Sequence, residues 1–165
     1  MKIIILLAAL AGASLLGAAD AQGAASSSAC TGGNTTYQGV RARAYCGPAS
    51  ATVTIGGRTL RYRGGSCIRN GVAVELGIGT VILDTKEPKG TLPRSFGISV
   101  GRIFGIGKAA PKDGTHPSLM LAFVDGGKRY ASMQGKAVLA GGRTRGSFSG
   151  RLLTGQPISG SFRCS

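Results

Sequence analysis
The chain has 165 residues, enough for one ordinary domain and its core, which excludes a multidomain protein. Lysine and arginine number 20 against 6 aspartates and glutamates, a formal net charge of +14, and glycine supplies 29 residues. So few carboxylates leave little material for paired acid-base chemistry, and the charge points to anionic partners.

The N-terminus reads as a secretory signal. Lys2 gives a short positive region, Ile3 to Leu16 an apolar run, and Ala19-Asp20-Ala21 a small-residue cleavage pattern. Gly12, Ser14 and Gly17 interrupt the run, whereas a stable membrane span wants about 20 strongly apolar residues. The expectation is a signal peptide over 1–21, a Gly/Ser/Thr-rich flexible leader over 22–38, and a single β domain over 39–165. Acylation of Cys30 is the minority alternative: Ala29 suits the position before a lipidated cysteine, but Ser27 stands where a lipobox has leucine.

Past the leader, the chain alternates apolar and polar residues in short runs, the pattern of half-buried strands. VRARAY runs from Val40 to Tyr45; Ala51, Val53 and Ile55 share one face, as do Leu60 and Tyr62. Val72, Val74, Leu76 and Ile78 share a parity that Val81 and Leu83 reverse, which predicts a bulge or turn at Gly79-Thr80. Phe96, Ile98 and Val100 align next, and SLMLAFV is apolar on both faces, as in a central strand. RYASMQ, KAVLA, GSFSGRLL and ISGSFRC follow, separated by the turn chemistry of DGG, AGG and TGQP. Some nine strands predict an all-β fold, an antiparallel sandwich or a partly closed barrel, stapled by disulfides. Two internal echoes, IGGRTLRY with DGGKRYAS and GSFSG with SGSFRC, read as similar hairpins.

Cys30, Cys46, Cys67 and Cys164 show no C-x-x-C spacing, and His116 is the single histidine, so a metal site and a Cys/His nucleophile are both poor fits. In an exported protein they read as two structural bridges, for which three pairings exist. A hairpin with Gly57-Arg58 as its loop sets Ile55 near Leu60 and Val53 near Tyr62 and brings Cys46 to Cys67. A Cys46–Cys164 bridge is the rival, closing a long loop worth about 4 to 5 kcal/mol in the chain-entropy model. Both stay open.

No catalytic constellation stands out. Gly97-Ile98-Ser99-Val100-Gly101 matches G-x-S-x-G, with Asp113 and His116 following in hydrolase order, but Ser99 falls inside an alternating run, without the strand-turn-helix context of a nucleophile elbow. Gly105 to Ala110 lacks the first glycine and the Ser/Thr of a phosphate loop. Glu75, Asp84, Glu87, Asp113 and Asp125 each stand alone, with no calcium-loop pattern. The reading is a non-enzymatic protein that needs no cofactor.

Charge carries the functional expectation. Losing Lys2 and Asp20 with the signal peptide leaves the +14 unchanged. Arg41, Arg43, Arg61 and Arg63 stand at alternate positions and face away from the core, which suits an anionic cell-wall polymer, an acidic glycan or a lipid surface. Nucleic acid fits less well, because aromatics for base stacking are few. The competing reading is a secreted hydrolase or a protease inhibitor presenting the segment from Asp84 to Ser95.

The run from Cys46 through VTIGG and the terminal SFRCS resembles the exported lipoprotein antigens of the mycobacterial LpqH type. The resemblance covers the two ends of the mature domain. It implies a small β-rich envelope protein without catalytic residues, and a Cys46–Cys164 bridge. The additional Cys67 departs from that pattern.

Overall fold
The computed structural model describes residues 30–84, 86, 88–102 and 105–165. The signal peptide expected over 1–21, the leader up to residue 29 and Glu87 lie outside the described residues. Among those described there is no helix, and none therefore long and apolar enough to cross a membrane.

The fold is all-β, with twelve antiparallel strands. They are β1 (Gly33–Tyr37), β2 (Val40–Tyr45), β3 (Ala49–Ile55), β4 (Arg58–Arg69), β5 (Ala73–Ile82) and β6 (Ser95–Gly101). Then come β7 (Gly114–His116), β8 (Leu119–Asp125), β9 (Lys128–Ser132), β10 (Gln134–Ala140), β11 (Arg145–Arg151) and β12 (Pro157–Arg163). The alternating runs of the sequence each form a strand. β1 falls inside the segment read as a leader, and the three-residue β7 carries too short a pattern to be seen.

The sheet order β7-β10-β11-β12-β3-β4-β5-β6-β8-β9 hides a ring. Asp125 opposes Lys128 and Leu121 opposes Ser132, while further along His116 opposes Ala137 and Gly114 opposes Leu139. Each step back along one segment matches one step forward along the other, so β7 with β8 and β9 with β10 form one long hairpin in continuous register. Its ladder is broken over residues 117–120, opposite 133–136, a gap that begins at Pro117, which has no N–H to give. Counted this way, eight strands follow each other in an up-and-down meander, and β12 pairs with β3 to bring the ends together. The result is a barrel, partly closed because of that break.

Alternation turns one face of every strand inward, and the inward side chains fill the space. Val53, Leu76, Phe96, Leu121, Phe123 and Leu139 are among the buried residues. Tyr62 and Phe96 rings lie 5.4 Å apart, and Phe123 stacks on Tyr130 at 4.7 Å. The GSFSG and SGSFRC echo has a packing cause. On adjacent β11 and β12, Phe148 opposes Gly160 and Gly146 opposes Phe162, so each phenyl ring covers the other strand's glycine.

Two expectations need correction. The β3–β4 hairpin turns at Gly56-Gly57, with φ of 54° and 75°, not at Gly57-Arg58. Val53 therefore opposes Leu60 and Ala51 opposes Tyr62, a slip of two positions that leaves every face assignment intact. The bridges are Cys30–Cys46 and Cys67–Cys164, neither the hairpin pairing Cys46–Cys67 nor the Cys46–Cys164 bridge that the antigen resemblance implies. Continued past its end, the β3–β4 register would set Cys46 across from Cys67. It stops at Ala49 and Gly65 with a bulge, and Gly64 at φ 86° lets β4 swing from β3 onto β5. That swing carries Cys67 to Cys164 at the end of β12, while Cys46 closes the open end of the β1–β2 hairpin with Cys30.

The predicted phase change at Gly79-Thr80 marks a change of partner. Up to Gly79, at φ 75°, β5 pairs with β6, and from Gly79 to Ile82 it pairs with β2. The β1–β2 hairpin thus attaches to the barrel through the far end of β5. Tyr45 lies on Gly77, where an added methyl would sit 2.5 Å from the ring.

Candidate functional site
The outer face of β10, β11, β12, β3 and β4 gathers most of the chain's unusual chemistry. Strand parity there is set by the buried Ala137, Leu139, Phe148, Ile158, Phe162, Val53 and Leu60, so the intervening residues point to solvent. They are mostly serines, threonines and cations, with Gln134, Val138 and Ala140 on β10 and Pro157 on β12 as the exceptions. Pairing aligns them in rows across the strands: Arg145, Arg163, Ser50 and Arg63 form one, and Ser147, Ser161, Thr52 and Arg61 the next. A third runs through Lys136, Ser149, Ser159, Thr54 and Thr59.

A shallow groove follows these rows. One part, of about 190 Å³, is lined by Ser50, Thr52, Arg61, Arg63, Ser161 and Arg163. It continues through Ser161 and Arg163 into a second part of about 320 Å³ that reaches Arg145, Ser147 and Val138. Thr52 Oγ1 and Ser161 Oγ are hydrogen-bonded at 2.8 Å, which fixes two hydroxyls at the groove's centre. Guanidiniums and hydroxyls of this kind donate to oxyanions, and Arg can do so in a bidentate manner.

The described carboxylates lie on other strands or in loops, with Asp113 reaching the edge of this face through its attraction to Arg145. Glu75 is on β5 and Asp84 pairs with Arg41 at 3.8 Å. Asp125 holds Arg94 at 3.0 Å and Arg58 at 3.4 Å. Asp113 accepts the N–H groups of Gly142 and Arg143, and those bonds, Gly142's first, hold its carboxyl below the usual range despite some desolvation. Arg145 and Arg163 by contrast stand directly opposite each other, an unfavourable like-charge pair on a sheet.

The structure divides the four arginines singled out by sequence. Arg61 and Arg63 lie in the groove on β4. Arg41 and Arg43 lie on β2, which pairs with β1 and β5 and not with β4; Arg43 stands over the Tyr45 ring at 5.4 Å. Sequence reasoning missed Arg145, Arg163 and the serine row beside them. Phase alone, read from Phe148 and Phe162, would have turned those residues outward, but only the strand order puts them beside Arg63.

The hydrolase motif is dispersed. Ser99 sits in mid-strand on β6, opposite Glu75 and Met120, while buried His116 has Nε2 2.9 Å from the Lys112 carbonyl. The Asp84 to Ser95 segment is tied down by Tyr37, whose hydroxyl donates to the Thr91 carbonyl at 3.0 Å, and by Arg94. Among the described residues, no three His, Cys, Asp or Glu side chains come together as metal ligands.

No known protein family and no curated protein matches the chain. Among solved structures, a redesigned β-barrel is similar over 73% of this chain and 91% of its own, with 18% identity and a TM-score of 0.42.

Proposed function
We propose that the chain is an exported, non-enzymatic extracellular or envelope protein that binds an anionic polymer along the groove across β10, β11, β12, β3 and β4. The observation that carries this reading is the row Arg145, Arg163, Ser50, Arg63. Directly opposed cations weaken the free sheet, with Asp113 offsetting part of the charge of Arg145, and a row of phosphate, sulfate or carboxylate groups relieves the remaining repulsion. Neighbouring strands are about 4.8 Å apart, so the row offers donors over roughly 14 Å, a length suited to successive charged units of a chain. The hydroxyl row beside it supplies neutral hydrogen-bonding sites for the same polymer.

Export is supported by the N-terminal signal pattern and by two bridges of the kind that oxidising compartments maintain. With its sulfur bonded to Cys46, Cys30 has none to give to an acyl thioether, which favours free export over lipid anchoring. The kinship to LpqH-type antigens remains part of this proposal, resting on the short end motifs.

The test is retention on immobilised heparin and polyphosphate, with neutral dextran as control, under a salt gradient. Wild type is expected to bind both polyanions and not dextran, and to elute as salt shortens the screening length from about 30 Å at 0.01 M to about 10 Å at 0.1 M. Serine replacement of Arg63, Arg145 and Arg163 together should remove most retention; Arg41→Ser with Arg43→Ser should remove little. Equal losses in the two variants would reduce the site to bulk charge and reject the groove.

A further inference from the structure
A second concavity lies on the opposite outer face and has different chemistry. From Gly79 onward β5 leaves the barrel wall to pair with β2, and its last residues, with the segment that follows, overhang β6, β8 and β9. Beneath the overhang, Gly77, Gly97, Ala122 and Ala131 stand in lateral register on β5, β6, β8 and β9 and make a floor without bulky side chains. One wall is Val81, Ile82, Leu92 and Pro93; the other carries Ile68 and Met120. Two cavities, of about 240 and 160 Å³, share Val81, Gly97 and Ala122 and so form one trough.

The trough is apolar along its length and charged at its ends. At the β9 end Arg129 lines it, on the same face as Ala131, whereas Lys128 shares the parity of Tyr130 and buried Ser132 and points to the other face. At the β5 end stands Glu75. An elongated guest with one anionic head and an uncharged tail matches this polarity. A peptide does not: the floor's backbone groups are engaged in the barrel ladders, leaving an extended peptide's own N–H and C=O groups without partners, whereas a hydrocarbon chain needs none. Tyr45 on Gly77 shows how closely a flat apolar group settles on a glycine of this floor, and Gly97 lies beyond it uncovered.

We propose that the trough binds a single long-chain fatty acid, its carboxylate at Arg129 on β9 and its alkyl chain laid over Gly97 and Ala122 toward β5. This site is separate from the polyanion groove and does not depend on it.

The experiment is displacement of cis-parinaric acid from the full mature protein by oleate, oleyl alcohol and acetate. Saturable one-to-one binding is expected, with oleate the strongest competitor. Gly97 has ordinary backbone dihedrals and a methyl there would touch only the Ala122 carbonyl, at 3.8 Å, so Gly97→Leu can fill the trough without disturbing the fold. It should weaken oleate roughly tenfold or more, about 1.4 kcal/mol or above. Should that variant fail to fold, Ala122→Leu, at an exposed floor position, carries the same expectation. Arg129→Glu should weaken oleate several-fold and leave oleyl alcohol unchanged. Absence of saturable binding, unaltered affinity in the floor variant, equal affinity for the alcohol in wild type, or effective competition by acetate would each overturn the proposal.

Discussion

Tyr62 shows how one side chain ties packing to pH. Its ring is buried between Phe96 and Phe123, its hydroxyl donates to the Val124 carbonyl at 3.3 Å, and Arg94 stands over the ring at 4.5 Å. Burial chiefly, with Asp125 adding to it, pushes the phenol from 10.0 up to about 12. A folded value above the unfolded one means a stabilising contribution that is complete below pH 10 and lost as pH climbs from there toward 12. In an absorbance titration at alkaline pH, one tyrosine should therefore ionise late, and Tyr62→Phe should remove that phase. Gly160 gives a steric counterpart. A methyl there would run into the Phe148 ring and the Thr52 carbonyl, so Gly160→Ala should cost about 1 to 3 kcal/mol, seen as a lower urea midpoint. An unchanged midpoint would mean that the ring does not cover the glycine.

At the scale of elements, much of the barrel is legible in the sequence because a period of two needs no knowledge of partners. Phe96, Ile98 and Val100 announce β6, and the parity reversal after Ile78 announces the bend of β5 at Gly79. What stays hidden is set by pairing. β1, GNTTY, has no apolar face to signal a strand and exists through its ladder with β2. The glycine pair in IGGR admits two loop positions, and the choice of Gly56-Gly57 shows itself only as positive φ at both residues. The bridges depend on where β4 leaves β3, at Gly64, a long-range event. Their energetic weights should differ with loop length: the Cys67–Cys164 bridge spans 97 residues and the Cys30–Cys46 bridge 16. Replacing the first pair by serines should cost about 4 to 5 kcal/mol and the second about 3 kcal/mol by chain entropy. Chemical denaturation of the two double variants checks the order, and a larger loss from the Cys30–Cys46 variant would contradict it.

For the whole molecule, charge is segregated. Cations and hydroxyls dominate the five-strand face, while Asp84 and Asp125 are engaged with arginines outside it and Asp113, bound to the Gly142 and Arg143 N–H groups, meets the face at Arg145. The sequence shows the excess of +14 but not its concentration, because Arg145, Arg163 and Arg63 are far apart in the chain and meet only through the order β11-β12-β3-β4. Such a face should trade stability for binding. Arg163→Ser should therefore raise the melting temperature at low salt, by up to about 1 kcal/mol in stability, with the gain shrinking as salt screens the pair. A loss of stability at low salt would show that Arg163 serves the fold instead.

The most direct test of the anionic-polymer site is an amide chemical-shift map of the isotope-labelled protein titrated with a short heparin fragment. Shifts concentrated on Ser50, Thr52, Arg61, Arg63, Ser147, Ser161 and Arg163 are the predicted result. Shifts confined to the β1–β2 hairpin and its Arg41 and Arg43, or scattered evenly over the barrel, would contradict it.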